Sequence, residues 1–346
     1  MLLCPFWLLG SLFVTPHHTE MFEWPLNVMS FNFLCINPRL IPTESRFHLI
    51  TRMKFLWILI STIICFSSAT PAAESTINLE VLQRSAQAGD ADSQWKLGMC
   101  YYDGLLIKGD GKKAVELFKA AADQGHLPAK YWLATVYWIG EIVPQELSKA
   151  TQLMTEAAKQ DYGPAQLTIG LFYYEGQIYP RDYVEAVKWF KLAADKNIPM
   201  AQCSLGSCYQ HGEGVTVDPE AALTWTKKAA DQGFADAQFN LGVFHATGFS
   251  VEINQKEAMR WWLRAASQNH AQAQANIGWS YATGTGVFKD RVTAYKWLNL
   301  AAGQGLGPSK DLRTGLEAEM SANEIAEGQK LSRDFKPIVE ALQRIR

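Results

Sequence analysis

Ser93-Gln94-Trp95-Lys96 sets a serine hydroxyl and a lysine ammonium one helical turn apart, the S-x-x-K spacing of an activated serine nucleophile. Two later strings extend the pattern: Ser321-Ala322-Asn323 echoes S-x-N, and Arg313-Thr314-Gly315 echoes K-T-G. Together they are the set used by enzymes of the β-lactamase and penicillin-binding type, whose third string lies on a strand. Metal chemistry has less to offer. His126, His211, His245 and His270 follow no ligand spacing, and neither H-E-x-x-H nor C-x-x-C occurs. His245 reads as a packing residue. There is no G-x-x-x-x-G-K-[ST] loop, so no cofactor is expected.

A period cuts across these strings. "AKQDYGPAQLTIGLFYYEG" at 158–176 returns as "ADQGFADAQFNLGVFHATG" at 230–248, with a third copy beginning at 194. From Ala86 the chain aligns with itself, without gaps, every 36 residues. The units are 86–121, 122–157, 158–193, 194–229, 230–265 and 266–301, and a divergent unit and closing segment occupy 302–346. Repeats of this length are units that bury their apolar faces only on their neighbours. In that frame Ser93 shares a column with Ala129, Ala165, Ala201, Ala237 and Ala273, a small packing position. An all-helical array also has no strand for residues 313–315.

Each column has a physical reason. Gly89, Gly125, Asp161, Asn197, Gly233, Asn269 and Gly305 are the residue types that tolerate a left-handed conformation, so a helix ends there in every unit. The next helix carries Leu97-Gly98, Leu133-Ala134, Ile169-Gly170, Leu205-Gly206, Leu241-Gly242 and Ile277-Gly278, whose small member lets a partner helix approach. It closes at Gly104, Gly140, Gly176, Gly212, Gly248 and Gly284. A loop then reaches Asp110, Glu146, Asp182, Asp218, Asn254 and Asp290, placed to cap a second helix. That helix carries an Ala column and, three residues on, Leu117, Leu153, Trp189, Trp225, Trp261 and Trp297.

These columns resemble the Sel1-like repeat, a relative of the tetratricopeptide repeat. "ADQGFADAQFNLG" and "GEGVTVDPEAALTWTKKAA" are close matches, and "GHLPAKYWLATVYWIGEIVPQELSKA" is the most divergent copy. The resemblance implies an all-α fold, a right-handed superhelical solenoid of six helix-turn-helix repeats plus caps. Residues 74–85 are expected to supply a half-repeat before it, and Ser321 with Glu324 a capping box after it. Cysteine-rich secreted relatives described as β-lactamases or penicillin binders pair two cysteines per repeat. Beyond residue 73 this chain has only Cys100, Cys203 and Cys208, so that pattern is not matched.

Residues 53–73 read as a secretory signal peptide: Arg52 and Lys54, an apolar run from Phe55 to Phe66, then small residues around Ala69 and Ala72. The run is short for a membrane span, which needs about 20 apolar residues, so no membrane insertion is expected after cleavage. Because a signal must lie at the N-terminus, residues 1–52 are expected to fall outside the natural product, with Met53 as its start. Formal net charge is −2 and no basic stripe appears, so nucleic acid is not an expected partner.

What remains is surface. In tetratricopeptide repeats ligands lie along the first helix of each pair, and the resemblance carries that groove onto Trp95, Met99, Tyr102, Tyr131, Trp138, Leu167, Leu171 and Tyr174. The expected function is a non-catalytic protein- or peptide-binding scaffold, expected to be a monomer, in the bacterial periplasm or secreted, with roles in envelope regulation or host interaction. The rival is an envelope hydrolase of the β-lactamase type.

Overall fold

The turns decide the architecture. A computed structural model describes residues 78–104 and 106–338; the readings for residues 1–52 and 53–73 lie outside it. Among the described residues there are 15 helices and no strand. A single helix α1 (Leu79–Gln87) comes first. Six pairs follow: α2 (Ala91–Asp103) with α3 (Gly111–Asp123), α4 (Leu127–Ile139) with α5 (Leu147–Lys159), and α6 (Gly163–Glu175) with α7 (Tyr183–Asp195). Then come α8 (Pro199–His211) with α9 (Pro219–Asp231), α10 (Ala235–Thr247) with α11 (Gln255–Ser267), and α12 (Ala271–Thr283) with α13 (Arg291–Gly303). A shorter pair, α14 (Gly307–Glu317) and α15 (Ala322–Arg333), closes the array. Packing runs between consecutive helices from α1 to α14, the pattern of a solenoid, and the last helix departs from it: α15 packs back on α13 rather than on α14.

Both turn columns adopt the conformation that their residue types suggest. Gly89, Gly125, Gly233 and Gly305 have positive φ, and so do Asp161, Asn197 and Asn269, at 67°, 62° and 68°. Asp110, Asp182, Asp218, Asn254 and Asp290 each accept backbone N–H bonds at the start of a second helix. Glu146 makes no such bond. Its extra methylene moves the carboxylate beyond the geometry that Asp and Asn reach. Ser321 and Glu324 form the reciprocal capping box on α15.

Within each pair one contact sets the spacing. A Cβ on Gly98 would stand 2.7 Å from the Phe118 ring, and one on Gly170 would stand 2.6 Å from the Phe190 ring. The same position in the second pair is Ala134, and there its partner is Met154, an unbranched side chain that can bend around a methyl group. Glycine is also demanded where the partner is a branched side chain, Thr226 against Gly206 and Leu298 against Gly278, while the unbranched thioether tolerates alanine.

Neighbouring pairs are joined by a glutamine relay. Gln94, Gln202, Gln238 and Gln274 are buried and donate to the carbonyls of Ala86, Ala194, Ala230 and Ala266, one pair back. Their own oxygens accept from Gln124, Gln232, Gln268 and Gln304 at 2.7–2.9 Å. The second and third repeats break the relay. Lys130 replaces the buried glutamine and pairs with Glu156 at 3.3 Å. Lys196 replaces the donor and turns to Asp161 instead, so Gln166 Oε1 is buried without a partner. An unsatisfied buried acceptor costs about 1–3 kcal/mol, whereas an exposed ion pair gives about 0–1 kcal/mol. Lys196→Gln is therefore expected to stabilise the array by about 1 kcal/mol. Urea denaturation followed by circular dichroism checks this, and a lower midpoint would refute the relay.

Candidate functional site

The groove set predicted on the first helices is largely core. Met99, Tyr131, Leu167, Leu171 and Tyr174 are buried. Trp95, Tyr102 and Trp138 are half-buried and packed on rings: Trp95 on His126 at 5.5 Å, Tyr102 on Trp132 at 5.4 Å, Trp138 on Phe172 at 5.4 Å. Two of the phenols bridge repeats. The Tyr131 hydroxyl lies 3.4 Å from Thr168 Oγ1 on the next first helix, and the Tyr174 hydroxyl donates to Glu213 at 2.6 Å. The reason is geometric: successive first helices stack on the same side chains that would otherwise line a groove. Large residues in those columns close the gap between helices.

The last two repeats fill these columns with smaller residues on average. In the fifth and sixth repeats the same columns hold Phe239, buried and stacked on His270, and Val243, Ala246, Ala275, Trp279 and Ala282, all half-buried. Val243 and Ala246 pack on the same core cluster as Phe239, and Ala282 on the cluster of the closing helices. Trp279 belongs to none of the core clusters of the described residues. The half-buried ring of these columns that packs on no core cluster, Trp279, therefore lies in the half opposite to the one the aromatic count favoured. A lone large residue among small ones, rather than a density of aromatics, was the signal that could have found it.

Charge sharpens the contrast between the two faces. In α4, α6, α8, α10 and α12 the charged residues are Lys130, Glu175 and Asp236 alone, whereas every second helix from α3 to α13 carries two or more. Burial pushes the Glu175 carboxyl up to about 7, with Gln177 and Arg181 holding it down only in part. Near neutral pH this face is thus less charged than its formal count. At the start of the array Tyr102, Asp103, Val136, Ile139, Glu141 and Ile142 line a cleft of 340 Å³. Burial raises the Asp103 carboxyl and pushes the Tyr102 hydroxyl up to about 12.

The repeat pattern now has a match. The Sel1 repeat covers residues 91–126, 127–162, 163–198, 199–234, 235–270 and 271–306. This chain belongs to the Sel1 repeat family. That frame begins at Ala91, five residues after the start used for the self-alignment, with the same period. A protective antigen present in uropathogenic Escherichia coli strains, displaying an SLR fold, is 32% identical with a TM-score of 0.63. The match covers 75% of this chain and 56% of the antigen, so this chain spans little more than half of the antigen's length. A Sel1 repeat protein from Oxalobacter formigenes is 31% identical with a TM-score of 0.56, covering 77% of this chain and 78% of that one. No curated protein matches the chain.

In this Sel1 repeat protein the catalytic strings have other duties. Ser93 lies in the first turn of α2, its N–H bonded to the capping Asp90 at 2.8 Å, and Lys96 pairs with Asp92 at 2.6 Å. Arg313 bonds Asn299 at 2.7 Å on α14, and Ser321 caps α15. The first string opens the array and the other two close it, with five helix pairs between. Cys100, Cys203 and Cys208 are free and buried, and burial pushes the Cys208 thiol up to about 12. Among the described residues no group of three His, Cys, Asp or Glu side chains could hold a metal ion, and no helix is long and apolar enough to cross a membrane.

Proposed function

We propose that this protein is a non-catalytic scaffold of the bacterial cell envelope that binds a partner protein along its first helices, chiefly over the fifth and sixth repeats. Sel1 repeats build a protein-binding framework, and one observation carries the finer reading: the first helices of the second to sixth repeats hold only three charged residues, and in the sixth the half-buried Trp279 packs on no core cluster and has Ala275 and Ala282 beside it in the groove columns. An apolar strip of this kind on a repeat array favours protein contact. Export is supported by the signal-like residues 53–73, and host exposure by the uropathogenic relative's being a protective antigen.

The test is affinity capture from periplasmic extract with the full chain as bait, then titration of the recovered partner. Trp279→Ala is expected to weaken that complex about tenfold, the loss typical of an aromatic anchor, while the melting temperature stays put. Unchanged affinity would remove the first-helix face from the interface.

A further inference from the structure

The second helices carry a row of tryptophans that the proposed function does not use. Trp225, Trp261 and Trp297 recur at the 36-residue period, each with a cation over its ring: Lys228 at 4.1 Å, Arg264 at 4.4 Å and Lys296 at 4.4 Å. Alone, such pairs are surface stacking. One of them holds something more.

Beyond α15 the chain turns back over the second helices. Phe335 packs on Trp297 with ring centroids 5.5 Å apart and planes at 67°, and Lys296 lies over both rings. Three residues on, the Ile338 N–H donates to the Ser267 carbonyl at 2.7 Å, one of the carbonyls that a helix leaves unpaired at its C-terminus. Residues 335–338 are in neither helix nor strand. They form a strap with an aromatic at one end and a backbone donor at the other.

Shifting this slot back by two repeats maps Ser267, Asn269, Gln274, Trp297, Leu300 and Gly303 onto Asp195, Asn197, Gln202, Trp225, Lys228 and Asp231. Those six residues line an open cavity of 390 Å³. It is the same slot without the strap. The Asp195 carbonyl, equivalent to that of Ser267, receives no hydrogen bond among the described residues. The substitutions at its rim are also informative. Ser267, Leu300 and Gly303 become Asp195, Lys228 and Asp231, so the slot gains two exposed carboxylates against one ammonium.

We infer that the cavity at Trp225 is a docking site for an extended segment of a partner protein in which a basic residue follows an aromatic one. The aromatic seats against the Trp225 indole as Phe335 does on Trp297. A backbone N–H three residues on meets the Asp195 carbonyl. The basic side chain, at the place in the sequence that Lys336 holds in the chain's own strap, meets the carboxylates of Asp195 and Asp231. Lys228 reaches the Trp225 ring from three residues on, whereas Lys296 reaches Trp297 from the preceding position, so the incoming aromatic takes the ring face that Lys228 leaves open. This site lies on the second helices and stands or falls independently of the Trp279 strip.

The probe is a synthetic peptide of the sequence Ser332–Ile338, SRDFKPI, titrated calorimetrically into the full chain. Saturable one-to-one binding is expected. Trp225→Leu, which installs the residue found at Leu117 and Leu153 in the same column, is expected to weaken it about tenfold. The double variant Asp195→Lys, Asp231→Lys changes only exposed side chains and is expected to weaken it by a similar factor, so the test survives even if Trp225→Leu disturbs folding. Trp261→Leu should leave it unchanged. Absence of saturation at millimolar peptide overturns the inference. So does affinity that is unmoved by the Trp225→Leu and Asp195→Lys, Asp231→Lys variants, or by alanine in place of the peptide's phenylalanine.

Discussion

Gly214→Ala is expected to lower the stability of the array by about 3 kcal/mol, because two separate penalties fall on one methyl group. Gly214 has a φ of 74°, and the left-handed region costs a non-glycine residue about 1–2 kcal/mol. A Cβ there would also overlap the backbone carbonyl of Tyr183, at the start of the second helix one repeat back. Backbone at a helix N-terminus cannot swing aside as a side chain can, and forced overpacking adds about 1–3 kcal/mol. Gly305 separates the two terms. Its φ is 88°, and an added Cβ would meet nothing within 4 Å. Gly305→Ala should therefore cost only the conformational term, about 1 kcal/mol. Urea denaturation of both variants measures the difference. Equal losses would mean that the loop of the fourth repeat does not press on the third.

The contrast between these glycines shows what a repeat sequence discloses. Positions whose demand is local are legible one column at a time. Asp161, Asn197 and Asn269 replace glycine where positive φ alone is required, and no β-branched residue enters that column. The pairing of Ala134 with Met154 is legible too, once the two columns are compared, because both lie within one helix pair. Contacts between repeats are another matter. Whether Tyr131 or Trp279 faces solvent depends on how closely successive first helices stack, and the same apolar residue type serves a groove or a seam. The strap at 335–338 lies outside the period altogether, so no column could announce it. It becomes meaningful only beside the open slot at Trp225.

Tyr131→Ala is the second large effect, expected to cost about 3–4 kcal/mol, in the range of buried aromatic truncations. Tyr131 is 1% exposed; its ring meets Tyr162 at 5.7 Å and its hydroxyl lies 3.4 Å from Thr168 on the neighbouring repeat. Removing it would open a cavity at the seam between the second and third repeats and strip Thr168 of that contact. Trp279→Ala, at the same kind of groove position, removes a half-buried ring that belongs to no core cluster, so its stability loss should stay below about 1 kcal/mol. The pair distinguishes seam from surface without knowledge of the partner, since thermal or urea melts of the two purified variants suffice. Were Trp279→Ala to melt as early as Tyr131→Ala, the sixth repeat would be stacked as tightly as the second, and its first helix could not offer an open strip. Were Tyr131→Ala to melt with the parent, the stacking of first helices would be looser than described. Trp95, Tyr102 and Trp138 would then return as accessible groove residues.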